Sequence, residues 1–532
     1  MDVDFLKTRA RFSSQQVAIR DPLKGKEWTY EDLNQRAVNL AHYLLAYGIS
    51  KGDRVALFCP NDIAYFDLLF ACTKIGAVLV PINWRLKPIE IKKILEDCHP
   101  KIVFFASNHK DRLEKLVPDS QMVDVDDMEY DLICETKIEK ELPFVKVDKY
   151  SPAFIMYTSG STGMPKGVMI SHNGMIQNAM NGIVNWNFKM SDRTLVSAPM
   201  FHIAALCGFA IPFILNGSQL IIERYFNPRE AIELISDYKI THLFMVPTMY
   251  YTLLTHESFY PQALESVKVF ISGGAPASDF VQKAFKKMGH TIINSYGLTE
   301  VGPNNFRILP EEVADHPKSI GKPIMFVRAR IVDKEFQDVK RGDIGELILS
   351  GEHVCLGYWE NSAETQKAFH GNYFCTGDLA RQDQEGFYYI VNRKKELIIT
   401  GGENVLPSEV EAVLNRHPLI KDSIVVGFDN AEFGESVGAA IQLEADFADY
   451  SKELNRYCLE HLAGYKAPKA YLVLEDFPRN AIGKIDKVLN TKMVNGLCQT
   501  AWSRHYLSSK KLLKKQLFLR FSQRLFFYKR LQ

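Results

Sequence analysis

Residues 54–106 read RVALFCPNDIAYFDLLFACTKIGAVLVPINWRLKPIEIKKILEDCHPKIVFFA. Three short apolar runs, Arg54–Cys59, Ala77–Ile82 and Lys101–Ala106, have the length and composition of buried strands. Between them, Asp62–Ile75 and Pro88–Cys98 repeat apolar residues at helical spacing. Strands alternating with helices predict an α/β layer whose sheet is largely parallel.

Outward from this stretch the pattern holds. Upstream, Gly52-Asp53 marks a turn, and Thr29 with Asp32 forms a capping-box start to a helix running toward Leu45. Downstream, Ile138–Pro152 is polar and aperiodic, a connection, and the alternation is expected to resume after Ser151. Beyond Arg393 the pattern changes to a short hairpin-like segment, a helix from Ser408 to Asn415 and a strand at Ser423–Gly427. This predicts a small α+β domain of about a hundred residues. The expected fold class is therefore α/β, a large N-terminal domain of layered α/β subdomains followed by a small α+β C-terminal domain.

Composition bounds the function. A chain of 532 residues with 46% apolar and 24% charged residues has the mix of a soluble globular protein and needs no staple to fold. The net charge of +1 hides a basic end. Residues 501–532 hold nine Lys or Arg and no acid, so the body is mildly acidic and has no nucleic-acid footprint. Placed on a helical wheel, the basic residues of this tail scatter over different faces. Peripheral membrane contact, packing against another chain and an unstructured tail stay open. The nine cysteines contain no Cys-x-x-Cys pair, which argues for incidental thiols in a reducing cytoplasm rather than zinc ligands or disulfides. No apolar signal core opens the chain. Between Arg193 and Glu223 no charged residue occurs, yet Pro199, Pro212 and the Asn216-Gly217 turn signal favour two buried core elements over a membrane span.

The chemistry sits in separated motifs. Tyr157–Gly167 (YTSGSTGMPKG) follows the apolar run Ala153–Met156. Its glycines let backbone approach phosphate, its hydroxyls donate to phosphate oxygens, and Lys166 adds charge. It has no Walker register. Ser272–Pro276 (SGGAP) is a second glycine turn after an apolar run. Asn294–Glu300 (NSYGLTE) places an aromatic, a hydroxyl and a carboxylate together. Tyr373–Asp378 (YFCTGD), Asn392–Glu396 with Thr400–Asn404 (TGGEN), and Asn480–Lys484 (NAIGK) complete the set.

In this order, from about Trp28 to Lys487, the motifs resemble the adenylate-forming superfamily of acyl-CoA synthetases, beetle luciferases and peptide-synthetase adenylation domains. The resemblance implies activation of a carboxylic acid with ATP and Mg²⁺ as an acyl-adenylate, then acyl transfer to coenzyme A. Thr158, Ser159, Gly160, Ser161, Thr162, Gly163 and Lys166 would embrace the β- and γ-phosphates. Glu300 would hold the metal and Thr299 would donate to the α-phosphate. Tyr296, within Asn294 to Gly297, would stack on adenine, with the Gly274-Ala275 backbone on the other side. Asp378 would accept the ribose hydroxyls, and Arg393 would also contact the ribose. Lys484 would reach between carboxylate and α-phosphate as charge develops.

The resemblance also implies a mobile small domain. It gives an N-terminal domain over 1–392, a hinge at 393–395 with Lys395 at its pivot, a C-terminal domain over 396–497 and a tail over 498–532, with Gly401 and Gly402 lining the thiol channel. Asn392 and Ala481 depart from the pattern of many relatives, which carry Asp and a hydroxyl residue there. Pro199–His202 resembles the mouth of the acyl pocket. His202 stands where amino-acid-selecting members place an Asp to pair the ammonium, so the expected acid is a fatty or other apolar one. Ile203, Ala204, Leu206, Phe244, Met245 and Val301 are expected to line that pocket. A ligase loading a carrier protein, an aryl-acid CoA ligase and a non-catalytic binder are the alternatives.

Overall fold

Thr29 starts the first long helix by satisfying its open backbone donors. Its hydroxyl accepts from the Asp32 N–H at 3.1 Å, and the Asp32 carboxylate accepts from the Thr29 N–H at 2.9 Å. The helix then spans Tyr30–Ala46. The computed structural model describes residues 3–158, 165–274, 277, 279–393, 398–405, 407–430, 432–444, 449–475, 477 and 494.

The predicted strands of 54–106 form as Arg54–Phe58, Val78–Pro81 and Ile102–Phe105, all paired in parallel, with helices Ala64–Ile75 and Pro88–Cys98 between them. They belong to a seven-stranded sheet that continues through Pro152–Thr158, Lys166–Ser171 and Gly357–Tyr358 on one side and ends at Met122–Asp124 on the other. A second seven-stranded sheet runs in the order Ile292–Asn294, Val269–Ser272, His242–Met245, Arg193–Val196, Gln219–Ile222, Val17–Asp21 and Lys26–Thr29. All but its last pair are parallel. One apolar core joins these layers.

The uncharged stretch 194–222 resolves as expected. Helical segments Ile203–Ala205, Leu206–Ala210 and Ile211–Asn216 follow one another, with a π-turn in the middle. Gly217 then turns the chain at φ 85°, and the buried strand Gln219–Ile222 follows. Among the described residues no helix is long and apolar enough to cross a membrane.

The expected alternation fails beyond Asn294. Arg328–Val332, Gly345–Ser350, Phe369–His370, Tyr373–Gln382 and Tyr388–Arg393 build an antiparallel five-stranded sheet with one short helix, Ser362–Ala368. Tight turns at Gly342, Gly371 and Gly386, all at positive φ, replace crossover helices. The smaller domain is as predicted in kind. A hairpin Ile398–Thr400/Glu403–Val405 joins Gly434–Leu443, Ile420–Asn430 and Ala470–Val473, with helices Pro407–Leu414 and Tyr450–His461 against the sheet. It has its own apolar core, including Val410, Leu414, Val425 and Leu454. Seven of the eight described cysteines are buried and none is bonded.

Burial places one ion pair under strong constraint. The Arg36 guanidinium grips Asp67 through Nε at 3.0 Å and Nη2 at 2.8 Å, and the Tyr130 hydroxyl donates to the same carboxylate at 3.0 Å. This fastens three helices, Tyr30–Ala46, Ala64–Ile75 and Met128–Glu135, around one buried charge.

Candidate active site

Two parallel strands, Val269–Ser272 and Ile292–Asn294, end side by side, with Ser272 in register with Asn294. The Ser295 N–H donates to the Ser272 carbonyl at 2.7 Å, which holds the two following loops together. Ligands commonly bind in loops at the carboxyl ends of such strands. One loop is Gly273-Gly274; Gly274 has φ 80°. The other runs from Tyr296 to Glu300. A Cβ on Gly297 would lie 2.2 Å from the Gly302 carbonyl oxygen, so only glycine lets this loop fold back. The Asn294 side chain accepts from the Ala277 N–H at 3.2 Å, which ties the two loops once more.

The antiparallel sheet delivers Asp378. Gly377, at φ 73°, turns within the strand Tyr373–Gln382 just before it. Asp378 is 2% exposed, and the Tyr296 hydroxyl donates to its carboxylate at 2.6 Å. Its cross-strand register partner is Arg393. Two expected nucleotide contacts thus meet across 82 residues of sequence.

The phosphate segment begins and ends where expected. Thr158 and Lys166 are register partners at the ends of antiparallel strands. Ser159, Gly160, Ser161, Thr162 and Gly163 lie outside the described residues, as do Ala275, Lys395, Lys484, the Arg393 side chain and the tail 498–532. Lys166 is ion-paired with Glu364 at 2.6 Å, and its Nζ lies 5.0 Å from the centre of the Tyr358 ring. The Lys166 contact, then that of Lys367, holds Glu364 down to about 2. The Tyr358 hydroxyl donates to Glu300 at 2.9 Å. Lys166 and Glu300 therefore share one tyrosine.

Glu300 suits magnesium. Among the described residues no cluster of three or more His, Cys, Asp or Glu could cage a metal. Mg²⁺ is typically held by one or two carboxylates together with substrate phosphates and water, and the Glu300 carboxylate, joined to Lys166 through Tyr358, would fit that demand.

Opposite these loops stands the small domain. Gly401 and Gly402 have φ 59° and 79°. A Cβ on Gly274 would come 3.7 Å from the Gly402 Cα, so the two glycine turns face each other in near contact. Glu403 follows, and the Arg85 guanidinium and His202 Nε2 lie 2.7 Å and 3.0 Å from one of its oxygens. Burial alone would raise the Glu403 carboxyl; His202 and Arg85 outweigh it and hold the group below its ordinary range. A cavity of about 140 Å³ lies at this junction, lined by Thr158, His202 and Thr299 on one side and Gly402, Glu403 and Lys466 on the other.

Arg85, Glu403, Tyr358 and Glu364 were not among the expected site residues. Glu403 lies inside a motif that sequence does single out. Arg85, Tyr358 and Glu364 have no local signal, because their partners are 58 to 318 residues away.

Known proteins resemble the chain over most of its length. The family model described as AMP-binding enzyme matches residues 6–359, and that of the AMP-binding enzyme C-terminal domain matches 409–484. A feruloyl-CoA synthase of Amycolatopsis sp is 34% identical over 480 residues, 90% of this chain and 96% of that protein. The long-chain-fatty-acid–CoA ligase FadD13 of Mycobacterium tuberculosis is 31% identical, over 91% of this chain and 96% of that one. Among solved structures, a double mutant of o-succinylbenzoate CoA synthetase from Bacillus subtilis, bound with its product analogue OSB-NCoA, superposes with TM-score 0.82 at 29% identity, covering 91% and 97% of the two chains. The same enzyme with its acyl-adenylate intermediate OSB-AMP gives 0.68 at the same identity, covering 91% and 96%. The chain belongs to the family of AMP-binding enzymes.

Proposed function

We propose that this protein is an AMP-forming acid–thiol ligase that activates an apolar carboxylic acid on ATP and transfers the acyl group to coenzyme A. The observation that carries the reading is the cavity that Thr158 and Thr299 share with Gly402 and Glu403, together with the Tyr296–Asp378 hydrogen bond.

In the first half-reaction the acid's carboxylate oxygen attacks the α-phosphorus of ATP, the bond to the bridging oxygen breaks, and pyrophosphate leaves. Asp378 accepts the ribose hydroxyls, a role suited to a buried two-oxygen acceptor already oriented by Tyr296. Tyr296 presents its ring to adenine. Thr158 and Lys166, with the segment between them, receive the outgoing phosphates, and Thr299 donates to the α-phosphate. Glu300 would hold Mg²⁺, which would supply positive charge against the phosphate oxygens. Lys484 stabilises the charge that develops at the attacked phosphate. In the second half-reaction the thiol loses its proton, its sulfur attacks the acyl carbon, and AMP leaves with the bonding pair. The cavity between Thr299 and Gly402 is the path for the thiol. The hinge at 393–395 separates the two half-reactions.

A compact acid is favoured over a long chain. The Phe244 ring comes within 3.0 Å of a Cβ built on Gly273 and stacks on Phe209 at 4.8 Å. Both rings are buried, and Phe244 sits against the Gly273-Gly274 turn, which supports a compact acid. Hydroxycinnamates, benzoates and short aliphatic acids follow from this, in a cytoplasmic setting.

The test is incubation of the purified chain with MgATP and acids from acetate to palmitate, with benzoate and coumarate, with and without coenzyme A, following AMP and pyrophosphate. AMP release that needs both an acid and coenzyme A is expected. Acid-dependent pyrophosphate exchange without thioester would reassign the acceptor to a carrier protein. Absence of ATP turnover with every acid would leave a binding role.

A further inference from the structure

Lys466 lines the small-domain side of the cavity, yet it is 5% exposed and held on two sides. Its Nζ lies 2.8 Å from Glu90 Oε1 and 2.8 Å from Glu409 Oε1. Glu409 and Lys466 belong to the small domain; Glu90 lies on the helix Pro88–Cys98 of the large one. The Glu90 carboxylate also caps its own helix, accepting from the Lys87 N–H at 3.0 Å.

The second ionic contact between the domains here, Glu403 with Arg85 and His202, sits at the mouth of the same cavity. Buried ion pairs recover their desolvation cost only when the geometry is complete. A pair made across two bodies therefore favours the one arrangement that completes it. This arrangement resembles the product-analogue complex of o-succinylbenzoate CoA synthetase more than its acyl-adenylate complex, 0.82 against 0.68 in TM-score at equal identity. Sequence identity is 29% in both comparisons.

We infer that Lys466, bridging Glu90 and Glu409, is a positioning residue that latches the small domain in the thiol-accepting arrangement and so serves the second half-reaction alone. This rests on the ligase reading above. A contact made in only one of two arrangements shifts their populations by its differential energy. Removing it depletes the thiol-accepting state and leaves the site that makes the adenylate intact.

The experiment uses the full chain and three variants. Glu90→Gln removes the charge while its side-chain oxygen still caps the helix. Lys466→Gln removes the bridge from the other side. Glu90→Lys with Lys466→Glu exchanges the charges. Acid-dependent pyrophosphate exchange reads the first half-reaction, single-turnover thioester formation reads the second, and small-angle X-ray scattering reads the domain arrangement without reference to activity. The expected result is exchange within twofold of wild type, thioester formation slowed about tenfold in both single variants, and partial recovery in the exchanged pair. Scattering should depart from the arrangement described in the single variants and return in the exchanged pair. An equal fall in both half-reactions with a lowered melting temperature would reduce Lys466 to a stabilising role. Unchanged scattering and unchanged thioester rates would overturn the latch. A wild-type chain inactive with every acid would defeat the ligase reading instead, while the scattering comparison still decides the latch.

Discussion

At the scale of single residues, the site depends on charge placed before the substrate arrives. Asp378 is buried and already aligned by the Tyr296 hydroxyl, so in the proposed role it would meet the ribose without reorganisation. Asp378→Ala is expected to raise the KM for ATP at least tenfold, since hydrogen bonds to a charged group are worth about 1.5–3 kcal/mol; steady-state kinetics at saturating acid would show it. Lys166 presents the opposite case. Its partner Glu364 is part-exposed, and such pairs contribute only about 0–1 kcal/mol, so a triphosphate can take Lys166 from it at little cost. Lys484 lies outside the described residues, and its role is tested by function. Lys484→Ala should slow acid-dependent pyrophosphate exchange by about 10²–10³. Transfer from a supplied acyl-adenylate to coenzyme A should stay near wild type.

Elements are held by buried polar groups whose removal has a calculable direction. Arg36, Asp67 and Tyr130 join three helices, and breaking one side of a buried pair typically costs about 3–5 kcal/mol. Asp67→Asn should therefore lower the first thermal transition markedly, as calorimetry would record. Glu223 works differently. It follows the strand Gln219–Ile222, is 1% exposed, and accepts from the Asn227 N–H at 2.7 Å just before the helix Pro228–Asp237. Burial pushes its carboxyl up from 4.5 to about 7. A raised acid favours the folded state below its unfolded value and loses that contribution as pH rises through the folded one. The native chain should lose on the order of 2–3 kcal/mol between pH 4.5 and 7 through this group. Glu223→Gln should remove that dependence and be relatively more stable at pH 8 than at pH 5, as urea midpoints across the range would test.

Over the whole molecule, two seven-stranded sheets and an antiparallel sheet supply one half of the cleft and the small domain supplies the other. The family matches end at residue 484, so the basic tail 498–532 lies beyond both of them in sequence. A chain truncated after Gly496 is expected to keep wild-type pyrophosphate exchange. Co-sedimentation with phosphatidylserine vesicles, measured with and without the tail at low and high salt, tests the membrane contact that the sequence leaves open. Attraction of about 1 kcal/mol per basic residue near an anionic surface should vanish with the truncation.

Local sequence determined most of the elements. The capping pair Thr29 and Asp32, the alternation over 54–106 and the turn at Gly217 are decided by groups a few residues apart, where propensity and periodicity act directly. The motif order likewise pointed to Tyr296 and Asp378, which the structure joins by a hydrogen bond. The antiparallel sheet beyond Arg328 was not legible, because strand direction depends on which edges pair and not on the pattern within each strand. Nor were the contacts of Glu403 with Arg85 and His202, of Lys466 with Glu90, and of Lys166 with Glu364, whose members are 198 to 376 residues apart. An ion pair across such a separation exists only once two bodies have folded and met, so only the tertiary structure could decide which charges close the cleft.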